Sequence, residues 1–135
     1  MKVKSCMKPH EEWIFKAEQD LRSAELLYAA ADPVLDVAIY HAHQCAEKSL
    51  KSYLSLKQCT IDKTHNLDLL GRRCEEMYSS FIQIREELVF LMPFATAYRY
   101  PEGELLPSRE KTLKAVCSAR LVFDFVSALV RQEDD

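Results

Sequence analysis

Apolar residues recur along most of this chain at the three- and four-residue steps of a helix, and polar punctuation divides the pattern into five stretches. At about 100° per residue, Trp13, Ala17, Leu21, Ala24, Leu27, Tyr28 and Ala31 share one arc of a helix expected from about His10 to Ala31. Phe15 and Leu26 fall together on its far side as a smaller apolar patch. The segment ADPVLD ends that helix and starts the next, with Asp32 placed to cap free amides and Pro33 at the first helical position. Helix two is expected to run to about Lys57, turning Leu35, Ile39, Ala42, Ala46, Leu50 and Tyr53 inward. So short a turn sets the two helices antiparallel.

A polar loop over 57–64 leads to a short helix, about His65 to Tyr78, with Thr64 as its cap. A fourth helix is expected from near Ser80 to Tyr100, kinked at Pro93, and PEGELLPS then reads as the clearest loop. Ser108 caps a fifth helix running to about Arg131. That helix is apolar over a wide arc, from Val116 through Phe123 and Phe125 to Val130, which suits the centre of a bundle or half of a subunit interface. The fold class is therefore all-α: an up-and-down bundle of four main helices plus one short helix. It is read as a single domain over 1–135, with residues 1–9 loosely ordered and 132–135 an acidic tail.

Composition sharpens this picture. Only two glycines in 135 residues argue against a sheet-rich fold, and 48% hydrophobic with 29% charged residues is globular rather than disordered. The net charge of -3 repels phosphate overall, so no DNA partner is expected and any nucleic-acid contact needs a local basic cluster. The longest apolar stretch, Leu88 to Tyr98, is well short of the roughly 18 residues that cross a bilayer, so no membrane partner is expected. The opening MKVKSCMKPHEE lacks the apolar run of a secretory signal. Five scattered cysteines, without metal-knuckle or redox-pair spacing, read as reduced thiols in a cytoplasmic protein.

Candidate chemistry begins on helix two. His41, Gln44, Lys48, Lys51 and Ser55 recur at helical steps opposite the apolar arc, where they form either a phosphate-tracking stripe or a solvated face balanced by Glu47 and Asp36. His41 and His43 point nearly opposite ways, and His41 with Cys45 supplies too few ligands for zinc, so no metal is expected. His65 near a helix start suits either an anion or a hydrogen bond across the bundle. Arg99, between Tyr98 and Tyr100 and before Pro101, has two readings. It closes a helix by bonding the last carbonyls, with Glu102 or Glu104 beside it, or it faces an anion with a tyrosine ring for stacking. Arg109 and Lys111 open helix five at the end where cations are mildly unfavourable, a weak pointer to an anion.

Four stretches taken together resemble the HEPN domain family of small prokaryotic helical bundles: AEQDLRSAELL (17–27), HQCAEKSLKSYL (43–54), THNLDLL (64–70) and RYPEG (99–103). The most specific piece is Gln44, Glu47, Lys48 and Lys51 followed by Tyr53-Leu54, and the next is Arg99-Tyr100-Pro101. The resemblance spans nearly the whole chain. It implies a four- or five-helix homodimer that binds a nucleotide such as ATP, often beside a separately encoded minimal nucleotidyltransferase in a toxin–antitoxin-like pair. Other branches of the family cut RNA. By position it nominates Gln44, Lys48, Lys51, His65 and Arg99 as nucleotide or phosphate contacts, with Tyr98 or Tyr100 flanking the base. Asn66 and Glu102 stand where the family often has aspartate.

Two activities lack their usual residues. The ribonuclease branch places a histidine four to six residues after an arginine, and none of His10, His41, His43 and His65 has that relation to any arginine. A nucleotidyltransferase needs Gly-Ser with paired metal-binding carboxylates, and both glycines precede other residues, Arg72 and Glu104. With the resemblance counted, the expectation is a non-catalytic homodimer that binds a nucleotide, a partner such as a separately encoded minimal nucleotidyltransferase, or both. A pure protein–protein interaction dimer is the alternative, and an RNA-cutting toxin is the least favoured reading.

Overall fold

The computed structural model describes residues 6–61 and 63–134. Its helices are α1 (Pro9–Ala29), α2 (Leu35–Leu56), α3 (Leu67–Met77), α4 (Arg85–Leu91) and α5 (Arg109–Asp134). Two 3-10 segments, Ser79–Ile84 and Met92–Ala95, flank α4. Among the described residues there is no strand, and the expected all-helical bundle is what forms.

Packing follows the inward arcs. Leu21, Ile39, Leu50, Leu54, Leu67, Leu70, Leu91 and Val122 are completely or almost completely buried. Each such side chain contributes roughly 1.5–3 kcal/mol by leaving water. Phe81, from the first 3-10 segment, joins the layers: its ring lies 4.8 Å from that of Tyr53 on α2 and 5.2 Å from that of Phe125 on α5. The central element is α2, not the widely apolar α5. It packs against α1, α3 and α5, and its buried face includes His43, Glu47, Ser49, Lys51 and Ser52 as well as its apolar arc. The outer side of α5 leaves Leu113 and Leu121 substantially exposed, as α1 does Phe15 and Leu26.

Helix boundaries depart from expectation where tertiary bonds compete with local caps. Asp32 and Pro33 do not start α2; Val34 is its N-cap without a side-chain cap bond. The Val34 amide instead donates to the Leu27 carbonyl at 3.2 Å, satisfying an end group of α1 and delaying the next helix by two residues. Thr64 does not cap α3 and His65 lies outside it. Asn66 is the cap, its side chain accepting from the Leu69 amide at 3.1 Å, because the His65 carbonyl is held by His43 on α2.

Helix four is shorter and more broken than its apolar pattern suggested. It ends as a 3-10 turn at Ala95, and Tyr98 reverses the chain in the left-handed region at φ 67°. Pro93 has no amide to continue the ladder. Ser108 does cap α5, accepting from the Lys111 amide at 3.0 Å. The helix runs through residues 132–134, so that part of the acidic tail is helical. The expected loose N-terminus falls mostly on residues outside the described ones, since α1 already begins at Pro9.

Candidate functional site

The polar stripe of α2 is an ion-pair network. From α1, the buried carboxylate of Asp20 takes His41 Nδ1 at 2.8 Å on one oxygen and Lys48 Nζ at 2.7 Å on the other. Burial pushes the Asp20 carboxyl up, but the hydrogen bonds from His41 and Lys48, with their charges, outweigh it and hold it below the ordinary value. One turn further along, Glu47 accepts Lys51 Nζ at 2.9 Å and His65 Nδ1 at 2.8 Å. Lys51 and Glu47 are 6% and 3% exposed, so the stripe is neither a solvated face nor a bare row of cations.

His43 completes this network. Its Nε2 meets the His65 carbonyl at 3.2 Å and its Nδ1 the Gln44 side-chain amide at 3.2 Å. Burial drives its pKa below the usual imidazole value, so it is held neutral. The network staples α1 to α2 and α2 to the approach of α3.

A second constellation lies at the end of the bundle where α1 finishes and α2 and α5 begin. The Arg99 guanidinium lies over the Tyr40 ring with Cζ 3.7 Å from the centroid. This replaces the expected closing of its own helix: Arg99 leaves α4 behind and stacks on α2. At the start of α5, Arg109 stands over Tyr28, Lys111 donates to the Tyr98 hydroxyl at 3.0 Å, and Lys114 lies 4.3 Å from the Phe90 ring centroid. Among the described residues, none of Arg99, Arg109, Lys111 and Lys114 forms an ion pair with a carboxylate. Tyr100 projects outward and is 67% exposed.

The sequence-nominated residues therefore divide into two groups. Tyr98, Arg99 and Tyr100 sit together at the bundle end. Gln44, Lys48, Lys51 and His65 belong to the network; Lys48 is eight residues beyond Tyr40 on α2, about 12 Å along the helix axis. Tyr28, read from the sequence only as part of an inward arc, and Tyr40, not named there, lie beneath two of the guanidinium groups. Nothing in their local pattern separates a platform tyrosine from an ordinary half-buried one. The cations of α5 did carry a signal, the breach of the dipole preference at its first turns.

The architecture is a helical bundle whose second helix is stapled to its neighbours by a buried ion-pair network. The pattern of the HEPN domain matches residues 10–129, and the chain belongs to that family. The crystal structure of an archaeal HEPN homologue has the same fold, with a TM-score of 0.70 and 21% identity over 92% of this chain and 99% of that one. None of the curated proteins matches this chain. No helix among the described residues is long and apolar enough to cross a membrane.

Proposed function

We propose that this HEPN-family protein binds a nucleotide, and that the phosphates are held at the bundle end by Arg99 with Arg109 and Lys111. The observation that carries the reading is the state of Arg99: exposed, its Cζ 3.7 Å from the Tyr40 ring centroid, and without a carboxylate partner among the described residues. A guanidinium so placed keeps its fork of donors free for phosphate while the ring fixes its plane. The exposed Tyr100 ring offers a face for a base. Lys48 and Lys51 support the same end indirectly, by fixing the helix that carries Tyr40, since both are already neutralised by buried carboxylates.

Thermal unfolding in the presence of ATP tests this. At a hundredfold excess over the dissociation constant, binding adds about 2.7 kcal/mol to stability. The gain is expected in the wild type and absent in Arg99→Ala. Melting indifferent to millimolar nucleotides overturns the reading. Self-association is a second reading, favoured by Leu26, 68% exposed on α1, and by Leu113 and Leu121 on α5. Sedimentation at micromolar concentration is expected to give the mass of a dimer, and a monomer mass contradicts it.

A further inference from the structure

One histidine of the network faces water. His65 lies in the connection just before α3, and its side chain is 71% exposed although the Glu47 carboxylate that accepts from its Nδ1 at 2.8 Å is buried. Its ring and its backbone are both tied. Lys51 Nζ holds the other Glu47 oxygen at 2.9 Å, and His43 Nε2 meets the His65 carbonyl at 3.2 Å. With the Nδ1 proton committed to the carboxylate, the neutral ring carries its lone pair on Nε2, which has no hydrogen-bond partner among the described residues. The other three histidines lack this combination. His10 and His43 are buried, and His41, held by Asp20 in the same manner, is only 29% exposed and shares its carboxylate with Lys48.

We propose that His65 Nε2 is a phosphoryl-acceptor site, modified by a small phosphoryl donor of the acyl phosphate or phosphoramidate class. A buried carboxylate on Nδ1 fixes the nucleophilic tautomer and stabilises the positive charge that the ring gains as the new bond forms. In the step, the Nε2 lone pair attacks phosphorus, an N–P bond forms, and the bond from phosphorus to the leaving group breaks. The leaving group departs with that electron pair, as carboxylate from an acyl phosphate or as ammonia from a phosphoramidate. The Nδ1 proton stays between His65 and Glu47, and nothing is oxidised or reduced. The surroundings accommodate the added negative charge. His65 stands two residues ahead of Leu67, where the positive end of α3 favours an anion. Asp68, the acid of that first turn, is already engaged by Arg72 at 3.1 Å. An uncharged acyl group on the same nitrogen would gain nothing from that positive end.

The test treats the full chain with potassium phosphoramidate at neutral pH and follows its intact mass. A single phosphoryl group per chain is expected, mapped to His65 and absent in His65→Gln. It is expected to add faster than to N-acetylhistidine under the same conditions, a difference that exposure alone does not produce. Glu47→Gln with Lys51→Met removes the carboxylate and its counter-charge together. This double variant is expected to slow the addition about tenfold or more, the scale on which a histidine's carboxylate partner acts. Circular dichroism shows which variants keep their helices. The comparison with N-acetylhistidine needs no variant and decides alone if the double variant unfolds. Addition no faster than to N-acetylhistidine, addition spread over several histidines, or an unchanged rate in the folded double variant overturns the proposal.

Discussion

Lys51 and Glu47 face each other one turn apart on α2, Nζ and Oε2 2.9 Å apart, with almost no water around either. Two charges withdrawn from solvent stabilise little as a pair, because desolvation offsets most of their attraction, but a single one left behind is costly.

Lys51→Ala, which strands Glu47 with His65 as its remaining partner, is therefore expected to destabilise the fold by roughly 3–5 kcal/mol. Glu47→Gln combined with Lys51→Met removes both charges and is expected to recover much of that loss. Urea unfolding of the single and double variants checks this. Equal losses in both would show that packing, not charge, governs the position.

Arg99→Ala is expected to leave stability nearly unchanged even as it removes nucleotide binding. An exposed guanidinium over a ring contributes only about 0.5–1 kcal/mol. Arg99→Lys keeps the charge and loses the planar fork, so intermediate binding is expected. A large drop in melting temperature for Arg99→Ala would assign the residue to folding rather than to ligand.

Acid is expected to weaken the protein in two steps. His43 is held below 6.5, so the unfolded chain takes up protons first as pH falls through 6.5, and stability declines from there until the folded value is passed. Asp20 is held below 3.8, so its contribution is complete above 3.8 and is lost as pH falls through its folded value. Urea midpoints measured against pH should lose the first limb in His43→Gln and the second in Asp20→Asn. Curves parallel to wild type in both variants would exclude these groups as the source.

Gly71→Ala sets two effects against each other. Alanine favours the helix by about 1 kcal/mol. The new Cβ would, however, lie 2.8 Å from Leu88 Cδ1, inside the packed contact of α3 with α4, where overfilling costs roughly 1–3 kcal/mol. A net loss of about 1 kcal/mol is expected. Leu88→Ala in the same chain should make Gly71→Ala neutral or favourable, which a double-mutant cycle measures.

Local signals made much of the bundle legible. Ser108 capped α5 as read, and Ile39, Ala42, Ala46, Leu50 and Tyr53 turned inward, because a cap and a 3.6-residue period act over a few neighbours. Boundaries failed where a distant group captured a backbone atom, as His43 does at the His65 carbonyl. Of the nominated site, Tyr98, Arg99 and Tyr100 were placed together simply by adjacency, whereas the tyrosine beneath Arg99 came from another helix.

Helical periodicity, caps and motif spacing were enough to read the helices, most of their inward faces and the family to which the chain belongs. Which cations stay without a carboxylate followed from how the helices pack against one another. Lys48, Lys51 and Arg99 are equivalent in a list of residues; Asp20 neutralises the first across 28 positions, buried Glu47 the second, and Arg99 meets an aromatic face instead. The availability of a charge depends on burial and on the partner opposite, and both are set by long-range packing that helical periodicity does not encode.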